Sequence, residues 1–129
     1  MTPAFEKTVL IVDDEQGFHD MLRYLLEPFG FCVYSAHDGL GGLRRVEERA
    51  YDIIFLDVHM PKMRGPELLK IIKEVRPAQL VVMMNSGSEP QQAMESMAPN
   101  SGALAWLHKP FEIDQVLQFI QYADKARRS

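Results

Sequence analysis

Residues 51–65 read YDIIFLDVHMPKMRG. Ile53, Ile54, Phe55 and Leu56 form an unbroken apolar run, which suits a strand buried on both faces; a half-exposed strand would alternate apolar with polar residues. The run stops at Asp57, so a carboxylate stands at the strand's C-terminal end. In an open parallel α/β sheet that edge is where ligands bind, because the loops there splay around a crevice. Val58-His59-Met60-Pro61 and Gly65-Pro66 then make a turn-rich connection to the next helical pattern.

Toward the N-terminus, Thr8 to Val12 is a β-branched run that ends in Asp13-Asp14-Glu15 and reads as a first buried strand. Phe18, Met21, Leu22, Leu25 and Leu26 recur at helical spacing with His19, Asp20 and Arg23 off that face, and Pro28 and Gly30 end the pattern. Phe31 to Ser35 is less uniformly apolar, as at a sheet edge. Asp38 to Arg49 carries Leu40, Leu43 and Val46 at helical spacing, but three glycines, each costing about 1 kcal/mol against alanine, predict a helix that starts late or frays.

Toward the C-terminus, Pro66 suits a first helical position, with Leu68, Leu69, Ile71, Ile72 and Val75 as its apolar face and Arg76-Pro77 as its end. Leu80 to Met84 is a fourth strand, followed by Asn85-Ser86-Gly87-Ser88; Glu89 to Met97 is a short helix. Ala103 to Leu107 is a fifth strand, followed by His108-Lys109-Pro110, and Glu112 to Ala126 a last amphipathic helix. Strands alternating with helices predict an α/β, flavodoxin-like doubly wound sheet of five parallel strands with five helices, and they permit the order 2-1-3-4-5, which is the one expected.

The 129 residues fit one domain, with a core at about 7–126 and no output domain in this chain. A net charge of -4 gives no electrostatic reason to bind nucleic acid, and no apolar run is long enough to span a membrane. Cys32 is the single cysteine and reads as a buried thiol; with no signal peptide layout, a cytoplasmic location is expected. The histidines at 19, 37, 59 and 108 read as surface or capping residues, and the eight methionines as mostly core filler.

In the order 2-1-3-4-5, strands one and three are neighbours where the winding reverses, which brings Asp13, Asp14 and Asp57 together. Three close carboxylates repel unless a cation neutralises them, and a hard ion with oxygen ligands, Mg²⁺, suits them. Lys109 and Ser86, at two further strand ends, supply the charge and hydroxyl that a transferring phosphoryl group needs on its oxygens, with Asp57 as nucleophile. Each of these residues alone has a commoner bland reading: a capping acidic pair, a loop aspartate, a surface lysine, a turn serine. Four such coincidences at strand ends make the bland reading improbable.

On VLIVDDE at 9–15, DIIFLDVHMPKMRG at 52–65, the small-residue turn at 85–87 and WLHKPF at 106–111, the chain resembles the receiver domains of two-component response regulators over nearly its whole length. The resemblance implies that Asp57 is the phosphoacceptor and that Asp14 binds Mg²⁺ directly, Asp13 largely through water, with the backbone carbonyl of His59 a further ligand. It implies that Lys109 is the family's lysine, followed by a cis bond to Pro110. Ser86 would be the switch hydroxyl, with Asn85 the alternative for that place, and Trp106 takes the position of the family's rotating aromatic; plain core packing is the equal reading of Trp106.

The implied partners are a histidine kinase or histidine phosphotransfer protein, and a downstream protein or fused output domain; a phosphorylation-dependent dimer is left open. The module would be no conventional enzyme, catalysing only its own phosphorylation and dephosphorylation. Three rival readings fit the residues less well. An aspartyl-nucleophile phosphatase resembling the haloacid dehalogenases wants an acid at position 59, where histidine stands; a flavin carrier wants a hydroxyl-rich loop where DDEQGF is acidic; a degenerate receiver serving only as an interaction module would have lost part of the acidic and basic set.

Overall fold

A computed structural model describes residues 7–60, 62–85, 102–109 and 111–128, with side chains as far as 125. Strands β1 (Lys7–Val12), β2 (Phe31–Ala36), β3 (Ile53–Asp57), β4 (Val81–Asn85) and β5 (Ala105–His108) form one sheet. Its order is β2-β1-β3-β4-β5, the one expected, and every neighbouring pair is parallel, as the alternation of strands and helices predicts. Helices α1 (Gln16–Leu26), α2 (Gly39–Glu48), α3 (Gly65–Val75) and α4 (Ile113–Arg128) are among the described residues, with a 3₁₀ turn at Glu27–Phe29. The helix expected over Glu89 to Met97 lies outside them.

The apolar runs are continuous because the sheet is covered on both faces. On one side Leu10, Val12, Ile54, Leu56, Val81 and Met83 pack with Val46 of α2 and Leu68, Leu69 and Ile72 of α3. On the other, the alternate residues Val9, Ile11, Ile53, Phe55, Val82 and Met84 pack with Leu22 and Leu26 of α1 and Val116, Ile120 and Ala123 of α4. Strand periodicity of two thus divides each run between two cores.

Several expectations are corrected. Helix α2 starts at once at Gly39, with the Asp38 side chain accepting the Gly41 N–H at 2.6 Å as an N-cap. Its glycines serve close packing: a Cβ on Gly42 would stand 3.1 Å from Val12 Cγ1, and one on Gly39 2.7 Å from Met63 Cβ. Met21, Leu40 and Val75, expected inward, are exposed at the margins of their helical faces. Cys32 is exposed on edge strand β2, where alternation buries Phe31 and turns the thiol outward. His19 is wholly buried, because it continues the line of Leu22 and Leu26 along α1.

Between β3 and α3, Lys62 holds a φ of 72°, a left-handed conformation in which a Cβ is strained. We expect Lys62→Gly to raise stability by up to about 1 kcal/mol and Lys62→Val to lower it, as read from urea unfolding midpoints. A valine variant as stable as wild type would contradict that backbone assignment.

Candidate functional site

The site lies at the C-terminal edge of the sheet, where β1 and β3 run side by side. Register pairs Val12 with Leu56, so Asp13 and Asp57 emerge from adjacent strands, and Asp14 follows at the turn into α1. Carboxylate oxygens of Asp13, Asp14 and Asp57 all lie within 4.8 Å of one another. Asp13 and Asp57 are buried and Asp14 is exposed, so the group has two fixed walls and one side open to water.

Such a donor set fits a hard divalent cation that takes few carboxylates and keeps several waters. The electrostatics agree. Burial first, and the Asp13 charge second, push the Asp57 carboxyl up from the usual 3.8 to about 6; Lys109 and a hydrogen bond from the His59 N–H act in the opposite direction. With no counter-cation the trio repels itself, and a cation would relieve that.

Asp13 is tightly held. Its Oδ1 accepts the Glu15 N–H at 2.9 Å, and its Oδ2 is ion-paired with the Lys109 ammonium. The ammonium also stands 4.1 Å from the centre of the Phe18 ring, a cation–π contact that holds it over the acidic group. The Lys109 N–H donates to the Asn85 carbonyl at 2.8 Å, extending the β4–β5 ladder and carrying the lysine to the crevice.

Asp57 is oriented by the chain that follows it. The His59 N–H donates to Asp57 Oδ1 at 3.2 Å, and the Val58 N–H to the Met84 carbonyl at 2.8 Å. The His59 side chain is half-buried, more enclosed than its loop position implies. Asn85 is buried at the end of β4, one residue past the Asp57 partner Met84. Trp106 is partly buried against the α2–α3 core. Ser86 and Pro110 lie outside the described residues, and with them the switch hydroxyl and the cis bond.

One contributor escapes a sequence reading. The His19 ring lies under the acidic pair, with Nε2 2.7 Å from the Asp13 carbonyl oxygen and Nδ1 2.9 Å from Ser35 Oγ. Burial holds its pKa below the usual value, so the ring is neutral at pH 7. Its spacing of three from Leu22 and seven from Leu26 was the available signal.

The response regulator receiver domain model matches residues 9–121. The chain is 36% identical over 108 residues to the transcriptional regulatory protein ZraR of Klebsiella oxytoca, covering 84% of this chain and 24% of that protein. It thus spans about a quarter of the length of such relatives. It is 34% identical over 118 residues to the chemotaxis protein CheY of Listeria monocytogenes, covering 91% of this chain and 98% of that one. Among solved structures, a response regulator receiver domain protein from Clostridium thermocellum superposes with a TM-score of 0.83 at 28% identity, covering 94% and 96% of the two chains.

Proposed function

This chain belongs to the response regulator receiver domain family, a signalling module rather than a conventional enzyme, and on that premise we propose that Asp57 is its phosphoacceptor. The observation that carries the reading is the convergence of three carboxylates within 4.8 Å, with the Lys109 ammonium at their margin. Asp14, Asp13, Asp57 and the His59 backbone carbonyl would hold Mg²⁺. When bound, the ion supplies positive charge beside the phosphoryl oxygens.

The chain's own residues do the rest. An Asp57 carboxylate oxygen attacks the phosphorus of a phosphohistidine on a histidine kinase or phosphotransfer protein. An O–P bond forms as the P–N bond breaks, the electron pair stays on the departing imidazole nitrogen, which takes up a proton, and Asp57 becomes an acyl phosphate. Lys109 balances charge on the phosphoryl oxygens, and Ser86, or Asn85 in its place, hydrogen-bonds them. Hydrolysis reverses the state: water attacks phosphorus, the O–P bond to Asp57 breaks, and inorganic phosphate leaves.

The acyl phosphate brings added negative charge to a buried strand end, which biases the loop after β4 and the packing of Trp106 on β5. The output passes to a downstream protein or a fused output domain. No helix among the described residues is long and apolar enough to cross a membrane.

Incubation with acetyl phosphate and Mg²⁺, followed by intact mass, tests the proposal. Wild type is expected to gain one phosphoryl group, and Asp57→Asn or wild type in EDTA none. Asp57→Asn labelled as fully as wild type would remove the mechanism.

A further inference from the structure

Every polar atom of Asp13 is engaged, and the engagement of its carbonyl has a consequence for its neighbour. The backbone N–H donates to the Ala36 carbonyl at 3.1 Å, Oδ1 and Oδ2 are held by Glu15 and Lys109, and the carbonyl oxygen meets His19 Nε2 at 2.7 Å. A carbonyl only accepts, so Nε2 carries the hydrogen. Arg23 Nη2 donates to Ser35 Oγ at 3.1 Å, which leaves the Ser35 hydroxyl hydrogen for Nδ1 at 2.9 Å. The chain Arg23 to Ser35 to His19 to Asp13 therefore has one consistent direction, and it fixes the imidazole tautomer.

The Asp13 carbonyl belongs to the peptide plane that joins Asp13 to Asp14. Anchoring it sets the orientation of that plane, and so the direction in which the exposed Asp14 side chain leaves the backbone. We propose that His19 is a positioning residue for the acidic pair: its Nε2–H, oriented by Ser35, locks the Asp13–Asp14 peptide so that both carboxylates face Asp57 before a cation arrives. The inference rests on the reading of these three aspartates as a Mg²⁺ site.

Groups that orient metal ligands without touching the metal typically change affinity by about 10- to 100-fold when removed. His19→Leu keeps bulk and burial but loses the donor, and is expected to weaken Mg²⁺ binding about 10-fold in calorimetric titration with no phosphodonor present. His19→Gln can place an amide N–H where Nε2–H was and should recover most of the affinity. Ser35→Ala, a change on edge strand β2, leaves His19 and its Nε2–H in place but removes the hydrogen bond at Nδ1 that helps orient the ring, and should weaken binding by a smaller factor. The acetyl phosphate reaction should follow the same order at limiting Mg²⁺ and converge on the wild-type rate at saturating Mg²⁺.

Loss of stability with unchanged Mg²⁺ affinity in His19→Leu and Ser35→Ala would overturn the proposal and leave His19 as packing. If His19→Leu does not fold, Ser35→Ala decides alone by the same criterion. Wild type that binds no Mg²⁺ would instead overturn the reading of the site itself, and this inference with it.

Discussion

Asp57→Asn should make the protein more stable in EDTA, by about 2 to 3 kcal/mol at pH 7. Asp57 is 1% exposed, with the carboxylates of Asp13 and Asp14 beside it. Its carboxyl is pushed up from 3.8 to about 6, which corresponds to about 3 kcal/mol of penalty on the charged form in the folded state. Asparagine keeps the shape, and its Oδ1 can still accept the His59 N–H, but it carries no charge. Most substitutions of a buried residue destabilise, so a gain here isolates the electrostatic contribution.

The gain depends on pH. Between about 4 and 6 the folded wild type holds a proton on Asp57 that the unfolded chain has released, so this group's contribution to stability declines as pH rises through that window and stays at its lowest above it. The difference between variant and wild type should be small near pH 4 and reach its full value by about pH 7. Mg²⁺ is expected to reverse the balance: bound to the folded state alone, it would stabilise wild type by about 2.7 kcal/mol at a hundred times its dissociation constant, and it should do little for Asp57→Asn. Urea unfolding at several pH values, with EDTA and with Mg²⁺, reads all of this. A variant less stable than wild type in EDTA would contradict the self-repelling trio.

That trio was legible because strand ends are the most readable points of a parallel sheet. Runs such as IIFL and VVMM must be apolar throughout when helices cover both faces, so a charge marks where burial ends. The observed strand order is one that alternation and handedness permit, and it brings Asp13 to Asp57. What escaped depends on tertiary neighbours. His19 looks polar in a helical pattern, and its burial is decided by an acceptor just past the end of β1, the Asp13 carbonyl, and a hydroxyl on β2. Gln79 gave no signal at all, yet it is buried and closes a pair of hydrogen bonds with the Tyr51 backbone, 2.9 Å from its N–H and 2.8 Å to its carbonyl. The glycines of α2 were read as helix breakers because propensity is local, whereas their reason is the approach of Val12 and Met63.

Gly65 shows the same principle next to Asp57, and Gly65→Ala should cost about 3 kcal/mol. A Cβ built there would stand 2.4 Å from the Asp57 carbonyl oxygen and 2.8 Å from Val58 Cα, contacts with backbone that no rotamer change relieves. The Gly65 N–H donates to the Val58 carbonyl at 3.0 Å, so the start of α3 is bound to the end of β3 at the point of conflict. Relief requires the Asp57–Val58 peptide to shift, and that moves the His59 N–H that orients Asp57 Oδ1. Phosphorylation by acetyl phosphate should therefore slow as well, by an amount that saturating Mg²⁺ does not restore, in contrast to His19→Leu. Gly17, exposed in α1 with no atom within 4 Å of its added Cβ, provides the control: Gly17→Ala should gain up to about 1 kcal/mol from helix propensity alone. Urea midpoints of the two variants should move in opposite directions. A Gly65→Ala protein with wild-type stability and phosphorylation rate would show that the end of β3 is not pinned against α3 as described.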